Sequence, residues 1–189
     1  MTDKIKLKEL SLNVLDIVQN SIKANASLVH IFVNISTFDN LLTIIVKDNG
    51  SGFDVNAYES SLNLGRRNHN KQGGCGIPLF KESAEKSGGS FKIISTVGKG
   101  TEVISSYILN SPCRLPLGDI NATIEALFFC CNDTDFVYTY KVDEESFTLS
   151  TEGIREIMGN IPVNNPETAE FIKGYLKENT RILNKNRIF

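Results

Sequence analysis

Leu15-Asp16-Ile17-Val18-Gln19-Asn20-Ser21-Ile22-Lys23-Ala24-Asn25-Ala26 lies near the start of the chain. Asp48-Asn49-Gly50-Ser51-Gly52 and Gly73-Gly74-Cys75-Gly76-Ile77 come after it in that order. The first stretch belongs to a helix. From Glu9 to Lys23, Leu12, Leu15 and Ile22 join Val14, Ile17 and Val18 in a broad apolar stripe at helical spacing. Asp16, Asn20 and Lys23, at i, i+4 and i+7, share a polar face of that helix. Standing alone, such a face would be an ordinary solvated stripe, so its meaning depends on the two downstream segments.

Past the helix, Leu28 to Ser36 alternates, with Val29, Ile31, Val33 and Ile35 on one face, as a strand does. Phe38-Asp39-Asn40 predicts a hairpin turn, and Leu41 to Val46 a nearly continuous apolar strand, central in a sheet or buried on both faces. Asp54 to Leu64 predicts a short helix, Gly65 to Gly76 a polar, basic, glycine-rich loop, and Ile77 to Ser87 a helix stopped by Gly88-Gly89. Phe91 to Thr96 and Glu102 to Leu109 alternate as two further strands around Val97-Gly98-Lys99-Gly100-Thr101. Helix, two strands, loop, helix, two strands predicts an α+β fold. It is a two-layer sandwich with a mostly antiparallel sheet and helices on one face.

Ser111 to Gly118 reads as a connector, which divides the chain into a domain over 1–110 and a small α+β C-terminal extension over 111–189. In the extension, Asp119 caps a predicted helix to about Phe129, Phe136 to Val142 and Ser146 to Leu149 form a hairpin, and Asn165 with Pro166 starts a final helix. Phe128, Phe129, Phe136, Tyr138 and Tyr140 read as core. The pair Cys130-Cys131 reads as small buried hydrophobes, and the turn Asp143-Glu144-Glu145 as solvated.

The polar face of the first helix joins a carboxylate, an amide oxygen and an ammonium, a set that suits water, Mg²⁺ and phosphate oxygens. Magnesium takes oxygen ligands and keeps several waters, so one asparagine plus phosphates suffices. Asp48 ends an apolar strand at a pocket edge, where a carboxylate can accept from the amino group of adenine and glycines let the backbone approach a flat base; read alone, the segment is equally a turn. Gly73-Gly74-Cys75-Gly76 precedes a helix, and freed amides with the helix N-terminus favour an anion. Arg66, Arg67 and Lys71 add charge that can close over a triphosphate, or else line an exposed loop. Neither Gly-x-x-x-x-Gly-Lys-Ser/Thr nor Gly-x-Gly-x-x-Gly occurs.

Together these segments resemble the GHKL ATPase superfamily of histidine kinase catalytic domains, heat-shock chaperone ATPases, gyrase-type topoisomerases and mismatch-repair ATPases. The similarity runs from about Leu7 to Leu109 and implies the Bergerat type of mixed sheet, with ATP and Mg²⁺ as cofactors. It implies Asn20 as the metal residue and Asp48, Gly50 and Gly52 as the adenine loop. Gly74 and Gly76, followed by Ile77, stand at the phosphate loop. Gly98-Lys99-Gly100-Thr101 resembles the closing Gly-x-Gly-Thr, with Thr101 helping to hold adenine. Three positions depart from the pattern. Asp16 stands where the hydrolysing branches carry glutamate, Gln72 replaces the first loop glycine, and the basic Lys23 follows Asn20 as in many histidine kinases.

Composition sets the outer limits. A chain of 189 residues with 41% hydrophobic content can bury a real core. A formal charge of -2 gives no basic field for nucleic acid or an anionic membrane. There is no bilayer-length apolar run, no signal-peptide pattern and no Cys-x-x-Cys, so a cytoplasmic protein with reduced thiols is expected.

Three functions remain open. The first is slow ATP hydrolysis with Asp16 as base. The second is a protein kinase acting in trans, because no phosphoacceptor helices precede the fold and His30 and His69 are poorly placed. The third is an ATP-dependent binding switch. A protein partner of unknown identity is expected, with docking on 111–189, and the oligomeric state is open.

Overall fold

The computed structural model describes residues 9–63, 76–130, 133–159, 161–185 and 187–189. The elements are α1 (Leu10–Lys23), β1 (Leu28–Ser36), β2 (Leu41–Asp48), α2 (Val55–Asn63), α3 (Gly76–Lys86), β3 (Ser90–Thr96) and β4 (Gly100–Ile108). They continue with α4 (Ile120–Cys130), β5 (Asp135–Val142), β6 (Glu145–Ser150), α5 (Thr151–Met158) and α6 (Pro166–Asn184). The strands form one sheet in the order β3-β4-β2-β1-β5-β6. Every pairing is antiparallel except β1 with β5, so the sheet is mixed.

Alternation decides which face the helices cover. Val29, Ile31, Val33 and Ile35 of β1 stand directly opposite Asp48, Val46, Ile44 and Leu42 of β2. On the other side they stand opposite Phe136, Tyr138, Tyr140 and Val142 of β5. All of these are buried, and the intervening residues are half-buried or exposed. One face of β2 is therefore sealed and the other partly open, a central strand rather than one buried on both faces. Against the sealed face lie α3, α1, α4 and α6, each touching the next. Burying each Val, Leu, Ile or Phe contributes about 1.5–3 kcal/mol, so this row of side chains dominates the core.

The C-terminal elements share that core. β5 extends the sheet from β1, and Phe136, Tyr138, Tyr140, Ile172 and Leu176 join a single buried cluster with α1 and β1. Phe128 is buried, but Phe129 is 38% exposed and Cys130 is exposed. The apolar face of α4 is Ile120, Ile124, Leu127 and Phe128, and the helical turn sends residues 129 and 130 outward. Cys131 lies outside the described residues. Asp143 also differs from the sequence expectation. Its Oδ1 accepts from the Thr37 backbone N–H at 2.7 Å and from the Thr37 hydroxyl at 2.9 Å, tying the β5–β6 turn to the β1–β2 turn.

Both ends of α1 are fixed by backbone. Glu9 supplies no side-chain cap; instead the Leu10 and Ser11 amides donate to the carbonyls of Pro116 and Leu117 at 3.0 and 2.9 Å. The connector thus satisfies amides that a helix start leaves free. At the other end Asn25 takes φ 56°, with Asn25 N–H donating to Ile22 and Ala26 N–H to Ser21. This is a Schellman stop, and it turns the chain sharply into β1.

Candidate functional site

β2 runs two residues beyond Val46, and this places Asp48 within the ladder, opposite Thr101 of β4. Thr101 in turn stands opposite Ser95 of β3. Val29, Asp48, Thr101 and Ser95 therefore form one cross-strand row on the helix-covered face, at the end of the sheet. Side chains directly opposite on one face meet, and here they hydrogen-bond. Ser95 Oγ lies 2.9 Å from Thr101 Oγ1 and accepts from the Phe53 N–H at 2.9 Å.

Asp48 is only 9% exposed and accepts three hydrogen bonds. Its Oδ1 accepts from the N–H groups of Gly50 at 2.9 Å and Thr101 at 3.2 Å, and its Oδ2 accepts from the Ser21 hydroxyl at 2.7 Å. A buried carboxylate is tolerated only when paired in this way. Asn49 points outward and pins the loop to the start of β1, its Oδ1 accepting from the Ser27 and Leu28 amides.

The loop glycines are required by close approach. A Cβ on Gly50 would lie 2.8 Å from the Ala24 carbonyl oxygen. On Gly52, at φ +58°, it would lie 2.1 Å from the Thr96 carbonyl oxygen. The loop after Asp48 thus packs closely against the main chain of Ala24 and Thr96.

The other end of the site is built where α1 meets α3. Gly76 is the first residue of α3, and a Cβ there would sit 2.0 Å from Asp16 Oδ2, so the carboxylate rests on the start of that helix. One turn along α1, Asn20 Oδ1 is buried and has no hydrogen-bond partner among the described residues. Lys23 is exposed. Ser21 touches Asp48 while Asp16 touches Gly76. At 1.5 Å rise per residue these two contacts are about 7.5 Å apart along α1, with Asn20 between them.

Of the residues singled out in the sequence, Gly50 and Thr101 come together around the Asp48 carboxylate, Gly52 lies against the main chain of Thr96 and Gly100, and Asp16 meets Gly76. Ile77 packs partly against the core and lines an open groove of about 360 Å³ with Tyr58, Pro78, Lys81, Phe91 and Ile93, between α2, α3 and β3. Arg66, Arg67, Lys71 and Gly74 lie outside the described residues. Sequence reasoning missed Ser21 and Ser95. The available signal was Ser21 itself, a polar residue in line with Val14 and Val18 on the buried stripe of α1.

Residues 5–110 match the family described as histidine kinase-, DNA gyrase B- and HSP90-like ATPases, and the chain belongs to that family. Membership supports ATP binding. Among solved structures, the N-terminal domain of a DNA repair protein is similar with a TM-score of 0.57 and 19% identity. The alignment covers 82% of this chain and 58% of that one, so this chain spans little more than half the length of that relative. An ADP complex of the MutL ATPase domain from Aquifex aeolicus matches with a TM-score of 0.46 and 14% identity, over 96% of this chain and 98% of that one. The topoisomerase IV ATP-binding domain of Francisella tularensis, bound to a small-molecule inhibitor, matches with a TM-score of 0.43 and 15% identity, over 75% and 86%. A search of curated proteins returns no significant match. Among the described residues, no helix is long and apolar enough to cross a membrane.

Proposed function

We propose that the chain binds Mg-ATP in the space between Asp48 and the start of α3 and hydrolyses it slowly. The observation that carries this reading is the arrangement on α1. A buried, unpartnered acceptor, Asn20 Oδ1, stands between a carboxylate that accepts three hydrogen bonds at one end and a carboxylate resting on a helix N-terminus at the other. In the proposal Asp48 accepts from the exocyclic amine of adenine, with Thr101 beside it. Gly50 and Gly52 keep the wall thin, and Gly76 presents the α3 amides to the phosphates.

Asn20 fits a magnesium site, because a buried oxygen without a donor is stabilised by a cation. Among the described residues no cluster of three or more His, Cys, Asp or Glu could hold a metal, so phosphate oxygens and water would complete the shell. When bound, the ion neutralises charge on the phosphates. Asp16 orients or deprotonates the attacking water, Lys23 reaches for phosphate oxygen, and Arg66, Arg67, Lys71 and Gly74 are assigned to the loop over the triphosphate.

One observation favours a second reading, an ATP-dependent binding switch. Asp16 Oδ2 lies against Gly76, at the helix end meant for phosphate, and its side chain is one methylene shorter than glutamate. A carboxylate so close to an anion site repels the γ-phosphate, which slows turnover without abolishing binding. The switch reading assigns residues 111–189 to a protein partner.

Thermal unfolding with ATP, with and without Mg²⁺, tests the core of the proposal. At one hundred times its dissociation constant, ATP should add about 2.7 kcal/mol of stability to the parent. Asn20→Ala should lose the Mg²⁺ dependence, and Asp48→Ala should lose the nucleotide effect. Absence of any stabilisation in the parent would overturn the reading. Labelled γ-phosphate appearing on a partner protein, rather than free in solution, would move the assignment to a kinase acting in trans.

A further inference from the structure

The group closest to Asp48 is the Ser21 hydroxyl, and nothing in the reaction as derived above uses it. Resting on the ATP reading, we propose that Ser21 is a positioning residue that makes Asp48 select an adenine amine over a 6-oxopurine.

The argument is a count of protons and lone pairs. Asp48 Oδ1 accepts from the Gly50 and Thr101 amides at 2.9 and 3.2 Å, which occupies both of its lone pairs. Neither donor can turn away, since both are main chain and Thr101 is held in the β2–β4 ladder. Asp48 Oδ2 accepts from Ser21 at 2.7 Å. The Ile17 carbonyl oxygen also lies 3.4 Å from Ser21 Oγ, but a hydroxyl has one proton, and the nearer, charged acceptor takes it. One lone pair is left on Oδ2, and Ser21, its proton committed, offers only lone pairs. Asp48 Oδ2 and Ser21 therefore present acceptors alone. An exocyclic amine finds a partner there, whereas an oxo group meets a carboxylate and a hydroxyl oxygen.

Ser21 is 3% exposed, so its proton has no competing partner in bulk water. Removing the hydroxyl should do more than weaken binding. A water taking its place carries two protons, one for Asp48 and one for an oxo group, so it can bridge what serine refuses. The signature of the positioning role is thus a change in base selectivity.

The test is calorimetric titration of ATP and ITP, both with Mg²⁺, into the parent, Ser21→Ala, Ser21→Cys and Ser21→Thr. ITP replaces the amine of ATP by an oxo group, with a proton on the neighbouring N1, and leaves the sugar and phosphates unchanged. The parent should prefer ATP, and the preference should fall about tenfold in Ser21→Ala. Ser21→Cys, close in size with a poor donor, should fall in the same direction and carries the test if the alanine variant does not fold. Ser21→Thr should keep the ratio even if its added methyl lowers both affinities. An unchanged ratio in both the alanine and cysteine variants overturns the inference and leaves the ATP reading intact. A parent that binds neither nucleotide overturns the ATP reading itself.

Discussion

Two glycines of the β3–β4 hairpin separate the effect of backbone conformation from that of close approach. Gly98 has φ +77° and nothing within 4 Å of the point a Cβ would occupy, whereas Gly100 has φ +101° and would place a Cβ 2.0 Å from the Asp48 carbonyl oxygen. A left-handed conformation costs an L-residue about 1–2 kcal/mol, partly offset by the roughly 0.4–1 kcal/mol gained from a stiffer unfolded chain. Gly98→Ala should therefore lose about 1 kcal/mol. Gly100→Ala carries the same strain plus about 1–3 kcal/mol of overpacking against main chain that cannot rotate aside. Its loss should be about 3 kcal/mol. For a chain of this size, about 1 kcal/mol corresponds to about 2–4 °C in melting temperature. Calorimetry should thus place Gly98→Ala within a few degrees of the parent and Gly100→Ala roughly 6–12 °C below it. Because the clash falls on Asp48, Gly100→Ala should also weaken ATP binding while Gly98→Ala should not. Equal losses in the two variants would refute the claim that approach to β2 requires glycine at 100.

Asp16→Asn should retain ATP binding by titration and lose phosphate release, since the amide cannot take a proton; unchanged release would remove Asp16 as the base. Tyr138→Phe should be neutral or slightly stabilising in denaturant melts, because the Tyr138 hydroxyl is buried without a partner among the described residues. Tyr140→Phe should lose about 1 kcal/mol with the 2.9 Å bond to Asn184. The hydrogen bond from Arg155, aided by Thr151, holds the Asp135 carboxyl below its ordinary value of 3.8. A lowered folded-state pKa contributes stability that is present above 3.8 and lost as pH falls through the folded value. Asp135→Asn should therefore be less stable than the parent at pH 7, by under about 1 kcal/mol given the exposure of the pair. The gap between the two variants should shrink as pH falls below 3.8, and a constant gap would refute the linkage.

Much of the fold is legible because its elements carry local signals. The apolar stripe of α1 and the alternation of β1 depend on residues within one turn or one pleat of each other, and both elements begin and end within a residue of where those patterns put them. The caps of α4 and α6 are equally local, with Asp119 Oδ1 accepting from Ala122 N–H and Asn165 Oδ1 from Glu167 N–H, each at 2.9 Å. Helix α5 has no such signal, although Ser150 caps it through Gly153 N–H at 3.0 Å. Thr151-Glu152-Gly153 continues the polar end of β6 without an apolar period to mark the change.

The sequence by itself determined the pieces of the candidate site: the helix with Asp16, Asn20 and Lys23, the Asp-x-Gly-x-Gly loop, and Thr101 after Gly100. Those rest on residue type at short spacing. Only the tertiary structure decided that β2 carries Asp48 into the ladder opposite Thr101, with Ser95 beyond it, that Ser21 donates a hydrogen bond to Asp48, and that Asp16 rests on Gly76. It also decided that β5 lies beside β1, which makes the C-terminal segment part of the same core. Those contacts join residues far apart in the chain. Strand register and helix packing set them, and short-range periodicity carries no record of which strand will lie beside which.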